Sequence, residues 1–131
     1  MAERILIIED SPDFLELVSY TLEAAGYTLL TAKTGKDGLE MARREQPDLI
    51  LTDLMLPLLN GYEICSMLKQ DARYKQIPIM MLSATKVQEQ DEQLAKNCGA
   101  DVFVLKSIEP KALLQRVREL LSARATGGAA A

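Results

Sequence analysis

Histidine is absent from this 131-residue chain, and cysteine occurs only twice, as Cys65 and Cys98. The absence of histidine removes the commonest partner for a zinc site. The two cysteines lack the spacing of metal ligands, and each lies in a helix-like segment. We therefore expect two reduced thiols in a reducing cytosol and no zinc site.

Long basic stretches and long apolar stretches are also missing. The chain has 15 Lys and Arg residues against 19 Asp and Glu residues, a formal net charge of -4 at pH 7. Because no basic stretch could follow a phosphate backbone, we expect no direct nucleic-acid partner. Because there is neither a signal peptide nor an apolar run of membrane-spanning length, we expect a soluble, cytoplasmic protein without a membrane partner.

Hydrophobic residues make up 48% of the chain, which is enough for the core of one domain. Many of them fall in five short runs, which are separated by segments of helical periodicity. The runs are Arg4–Ile8, Thr28–Ala32, Leu49–Thr52, Ile79–Leu82 and Val102–Leu105. Strands that alternate with helices indicate a parallel sheet, and near-continuous apolar strands indicate burial on both faces. The sequence therefore predicts an α/β fold, a doubly wound parallel sheet with helices on both of its faces.

Start and stop signals bound the first and last helices. Ser11 and Pro12 form an N-cap and a first helical turn, Gly26 ends that helix, and Pro110 begins the last one. The final residues, 125–131, are all small and cannot bury enough surface to order themselves. We expect one domain over residues 1–123 and a flexible tail or linker stub over residues 124–131.

Polar side chains follow four of the predicted strands. Glu9 and Asp10 follow the first, Asp53 the third, Ser83 the fourth and Lys106 the fifth. In doubly wound sheets ligands bind beyond the carboxyl ends of the strands, so we expect these side chains to form one site. Converging carboxylates repel one another unless a cation lies among them. Oxygen ligands in an open site favour Mg²⁺, with Asp10 and Asp53 as direct ligands and Glu9 direct or acting through water.

The same residues predict phosphoryl transfer. With a cation present, the carboxylate of Asp53 becomes a workable nucleophile toward phosphorus, and its product is an aspartyl phosphate. Lys106 would place a positive charge on a phosphoryl oxygen, and Ser83 would donate a hydroxyl hydrogen bond to it.

These motifs resemble the receiver domain of two-component response regulators, over about residues 4–123. The matching segments are Ile7-Ile8-Glu9-Asp10, the run from Asp48 to Pro57, Asn60-Gly61, Leu82-Ser83-Ala84, and Gly99-Ala100-Asp101 ahead of Lys106. The resemblance implies a flavodoxin-like five-stranded sheet of order 2-1-3-4-5. It further implies that Asp53 is the phosphoacceptor and that Glu9 and Asp10 are the acidic pair for Mg²⁺.

The resemblance also assigns further roles and partners. The backbone carbonyl of Met55 is implied as another metal ligand, and Ser83 and Phe103 as switch residues. The implied donor is a histidine kinase or a histidine phosphotransfer protein, since the chain contains no histidine of its own. The output face, about residues 86–121, would contact an output domain, a target protein or a second phosphorylated copy. Such a domain is not an enzyme, because it catalyses only its own phosphorylation and dephosphorylation.

One departure from the family pattern concerns the residue after Lys106, which is usually a proline preceded by a cis bond and here is Ser107. The loop therefore either bears the strain of a cis bond before a non-proline residue or is trans. This departure motivates an alternative, a receiver-shaped interaction module that no longer switches. A second alternative is a flavodoxin-like electron carrier or nucleotide-binding protein. The acidic, glycine-free loop after the first strand argues against the latter.

Overall fold

A computed structural model describes residues 2–84, 93 and 97–130, with side chains described for 2–84, 93 and 97–123. Its sheet has five strands: β1 Arg4–Ile8, β2 Thr28–Ala32, β3 Leu49–Asp53, β4 Ile79–Ser83 and β5 Val102–Leu105. All neighbouring strands are parallel, in the order β2-β1-β3-β4-β5. The predicted doubly wound sheet and its strand order are confirmed.

The described residues form four helices: α1 Pro12–Ala24, α2 Gly35–Glu45, α3 Gly61–Lys69 and α4 Pro110–Ala130. The part of the expected output face between β4 and residue 97 lies outside the described residues, apart from the exposed Gln93. None of the helices over the described residues combines the length and apolar character required to span a bilayer.

The sheet divides the core into two halves. Alternate residues of β1 point to opposite faces, so Leu6 and Ile8 pack on one side while Ile5 and Ile7 pack on the other. The first half includes residues of α2 and α3, and the second half includes residues of α1 and α4. These four residues of β1 are fully buried, and burying each such side chain stabilises the fold by about 1.5–3 kcal/mol. The strand ends are therefore anchored from both faces.

Helix α1 begins at Pro12, two residues after the acidic pair Glu9-Asp10 that follows β1. The Ser11 side chain accepts a hydrogen bond from the Phe14 backbone N–H, and Pro12 occupies the first turn, as predicted. Gly26, with φ of 96°, follows the end of the helix in the left-handed region that glycine adopts at little cost. The start of α1 is thus fixed relative to Glu9 and Asp10.

The last helix runs through Ala130. It buries Leu113, Val117 and Leu121 in the same half of the core as Ile5 and Ile7. Its backbone continues into the segment expected to be a tail, and the domain limit at residue 123 stays a prediction.

Gly35 gives a test of how closely α2 approaches the loop between β3 and α3. A Cβ atom at Gly35 would lie 2.0 Å from the backbone oxygen of Leu59. Gly35→Ala should therefore force the backbone apart and lower the free energy of unfolding by about 1–3 kcal/mol, measured by urea denaturation. Lys36→Ala, at an exposed position in the same turn, should change it by less than about 0.5 kcal/mol. Equal midpoints for Gly35→Ala and the wild type would contradict the close approach.

Candidate functional site

Three carboxylates meet at the carboxyl edge of the sheet. Glu9 and Asp10 follow β1, and Asp53 is the last residue of β3; these strands are hydrogen-bonded neighbours. One oxygen from each carboxylate lies within 4.8 Å of the other two. Glu9 is 0% and Asp53 6% exposed, whereas Asp10 is exposed. The predicted convergence of these three carboxylates is confirmed. Because Asp10 is exposed, the cluster is accessible from solvent.

Lys106 brings a positive charge to this cluster. Its Nζ lies 2.6 Å from Glu9 Oε1 and 3.1 Å from Asp53 Oδ2, and its side chain is only 14% exposed. The backbone N–H of Lys106 donates to the carbonyl oxygen of Ser83 at 2.7 Å, which ties this loop to the end of β4. No cis peptide bond occurs among the described residues, so the Lys106–Ser107 bond is trans. The lysine reaches both carboxylates with this bond in the trans form.

Burial and charge shift the pKa values of this ion pair. Burial raises the pKa of Glu9, and the nearby Asp53 adds to this, while Lys106 and the backbone N–H of Ser11 oppose it without cancelling it. Burial lowers the pKa of Lys106, but its contacts with Glu9 and Asp53 outweigh burial and leave that pKa raised. Burial therefore dominates the pKa of Glu9, whereas the two carboxylates dominate the pKa of Lys106 and keep it charged.

One backbone contact and one side-chain contact orient the Asp53 carboxylate. Oδ1 accepts a hydrogen bond from the Met55 N–H at 3.1 Å, and Oδ2 faces Lys106. The Met55 side chain is 73% exposed, so this residue contacts the site through its backbone. Its carbonyl as a metal ligand stays a prediction.

The two predicted switch residues lie on the neighbouring strands. Ser83 ends β4 and is 4% exposed, in register with the last residue of β5. Phe103 is half-buried and packs against the half of the core formed with α2 and α3. Ser83 therefore borders the site, and Phe103 belongs to the strand that delivers Lys106. Their switching roles stay predictions.

One residue of the site was missed by the sequence analysis. The Phe14 ring lies with its centroid 4.9 Å from Lys106 Nζ, although its spacing in α1 indicates only a core position. No local sequence signal connects residues 14 and 106, because their contact depends on how α1 and the loop after β5 pack.

The geometry defines a doubly wound α/β domain with an acidic site and one lysine at its carboxyl edge. Residues 5–118 match the family model described as the response regulator receiver domain. The chain therefore belongs to this family of phosphoacceptor signalling domains. This membership leaves the flavodoxin-like electron carrier without support.

Relatives and solved structures agree with this membership. The chain is 44% identical over 118 residues to the DNA-binding dual master transcriptional regulator RpaA of Synechocystis, covering 90% of this chain and 48% of RpaA. It is 36% identical over 119 residues to protein PilH of Pseudomonas aeruginosa, covering 91% of this chain and 98% of PilH. A CheY-like receiver domain protein from Methanospirillum hungatei superposes with a TM-score of 0.90 at 26% identity, covering 97% and 99% of the two chains. The chain thus spans about half of RpaA and nearly all of PilH.

Removing the charge of Lys106 tests the electrostatic balance of the site. Lys106→Met should lower the free energy of unfolding by about 2 kcal/mol in EDTA, because two carboxylates lose their cation. This loss of stability is smaller than the ~3–5 kcal/mol expected when one partner of a fully buried ion pair is removed. Solvent reaches part of Lys106, and protonation of Glu9 can remove its unbalanced charge. Urea denaturation measures the change, and millimolar Mg²⁺ should recover part of it.

The matched control for this substitution is Lys111→Met, at an exposed position in the first turn of α4. It should shift stability by less than about 0.5 kcal/mol in either buffer. A Lys106→Met protein as stable as the wild type in EDTA would show that Lys106 does not balance these carboxylates.

Proposed function

We propose that this receiver domain accepts its phosphoryl group on Asp53. The observation that carries the proposal is the position of Asp53 Oδ2, 3.1 Å from the Lys106 ammonium and within the carboxylate cluster. In this position a negative nucleophile lies beside a positive charge that can donate hydrogen bonds to the incoming phosphoryl oxygens. The donor is a phosphohistidine of a histidine kinase or of a histidine phosphotransfer protein, since this chain has no histidine.

In the proposed reaction an Asp53 carboxylate oxygen attacks the phosphorus, and the bond between phosphorus and the donor imidazole nitrogen breaks. The electron pair of that bond returns to the donor imidazole. The Met55 N–H keeps one Asp53 oxygen in place, and Lys106 donates to a phosphoryl oxygen. The hydroxyl of the buried Ser83 would donate a hydrogen bond to another phosphoryl oxygen.

A divalent cation fits the charge of this site. Glu9, Asp10 and Asp53 bring three negative charges and Lys106 one positive charge, which leaves two negative charges to balance. The buried Oε1 of Glu9 contacts Lys106 but has no aligned hydrogen-bond donor among the described residues, as expected of an oxygen that also serves a cation. Glu9, Asp10, Asp53 and the Met55 carbonyl would hold Mg²⁺. When bound, Mg²⁺ supplies charge neutralisation at the phosphoryl oxygens.

Phosphorylation would then change a surface that a partner contacts. Ser83 would follow the phosphoryl group, and Phe103 would change its packing in response. The proposed output face remains about residues 86–121, part of which lies outside the described residues. Its partner is a linked output domain, a separate target protein, or a second phosphorylated copy. The chemistry is limited to phosphorylation and dephosphorylation of the chain itself, and the cytoplasmic location stays a prediction.

The site of phosphorylation is tested by intact mass after incubation with acetyl phosphate. The wild type should gain one phosphoryl group when Mg²⁺ is present and none in EDTA, because the carboxylates then lack their cation. Asp53→Asn should gain none under either condition. Asp37→Asn, an exposed acidic residue of α2, should behave like the wild type. An adduct that persists in Asp53→Asn would place the acceptor elsewhere.

The metal site is tested by isothermal titration calorimetry with Mg²⁺ at fixed ionic strength. Asp10→Asn should weaken Mg²⁺ binding by about tenfold to a hundredfold, because a charged oxygen ligand is lost. Asp13→Asn removes an exposed carboxylate three residues further along the chain and should leave the dissociation constant within about twofold. Equal weakening in both variants would indicate a general effect of charge rather than a ligand.

A further inference from the structure

The ammonium of Lys106 contacts an aromatic ring as well as two carboxylates. Its Nζ lies 4.9 Å from the centroid of the Phe14 ring, within the range of a cation–π contact. Glu9 Oε1 is at 2.6 Å and Asp53 Oδ2 at 3.1 Å from the same atom. Among the described residues, the ring is therefore one of three groups that contact this lysine, which is mostly withdrawn from solvent.

The position of the Phe14 ring is set by the turn that also sets Glu9. The Ser11 backbone N–H donates to Glu9 Oε2 at 3.0 Å, and the Ser11 side chain accepts from the Phe14 N–H at 3.5 Å. The half-buried ring packs against the half of the core that contains Val18 and Leu22. One capped turn thus holds both a carboxylate and an aromatic face next to Lys106.

We propose that Phe14 is a positioning residue that holds the Lys106 ammonium beside Asp53 by a cation–π contact. The inference rests on the proposed function of Asp53 as phosphoacceptor. A lysine side chain has several rotatable bonds and a strongly hydrated head, so its charge acts on a phosphoryl group only if it is held in place. An aromatic face restricts it and excludes water from one side.

A ring suits this task because it attracts the ammonium without bearing a full charge. Another carboxylate would add to the repulsion among Glu9, Asp10 and Asp53, and would compete with the phosphoryl oxygens for Lys106. The ring does neither, so Lys106 can keep its contact with Phe14 while its hydrogen bonds pass from Asp53 to the phosphoryl group.

The test measures the initial rate of Asp53 phosphorylation by acetyl phosphate at saturating Mg²⁺. Phe14→Leu, which keeps an apolar side chain but removes the aromatic face, should lower this rate about three- to tenfold. Phe14→Tyr keeps the face and should restore the rate to within about twofold of the wild type. In a Lys106→Met background, Phe14→Leu should cause no further loss, because the group it positions is gone.

Two controls separate positioning from packing. Tyr27 is another half-buried aromatic residue against the same half of the core, so Tyr27→Leu makes the same kind of substitution at a distance from Lys106. Tyr27→Leu should leave the rate unchanged even where it lowers the urea midpoint. A rate for Phe14→Leu equal to that of the wild type would overturn the inference, as would an equal loss in the wild-type and Lys106→Met backgrounds.

The same assay distinguishes this inference from the function on which it rests. If wild-type protein takes no phosphoryl group, or if Asp53→Asn still takes one, the assignment of Asp53 fails and the role of Phe14 fails with it. If the wild type is modified on Asp53 and Phe14→Leu reacts equally fast, only the role of Phe14 is overturned.

Discussion

The constraint on which the rest of the structure depends is an excess of negative charge at one edge of the sheet. Glu9 and Asp53 are buried there with Asp10 beside them, and Lys106 balances only part of their charge. Loop residues could relieve such repulsion by moving apart. Glu9 and Asp53 cannot, because Glu9 directly follows the buried residues Ile5–Ile8 of β1 and Asp53 ends the buried strand β3. The fold therefore retains an electrostatic cost that favours the binding of a cation.

Rigidity at this edge comes from the two halves of the core. Strand β1 alternates its side chains between them, so neither half can shift without disturbing the other. Helix α1 extends this rigidity into the site, since its cap at Ser11 contacts Glu9 and its side chains Val18 and Leu22 are buried. Packing energy from the apolar residues thus holds the polar residues where they repel one another.

Much of this arrangement could be predicted from the sequence. Apolar runs have a local signature, so all five strands and the convergence of Glu9, Asp10 and Asp53 followed from their spacing and from parallel-sheet topology. The contact between Phe14 and Lys106 could not be predicted, because it joins residues far apart in the chain and depends on helix packing. The form of the bond before Ser107 also remained open, since two backbone geometries were compatible with the sequence.

That bond shows how the direction of Lys106 is determined. If residue 107 alone aimed the lysine, replacing the family's proline by serine should misplace the ammonium. Instead, the Lys106 N–H bonds to Ser83 at the end of β4, and its Nζ meets two carboxylates and a ring. These contacts come from separate elements of the fold, and together they hold the Lys106 ammonium in one position. Serine at position 107 in place of proline therefore no longer favours a non-switching module. The contacts around Lys106, and not the residue that follows it, direct its side chain.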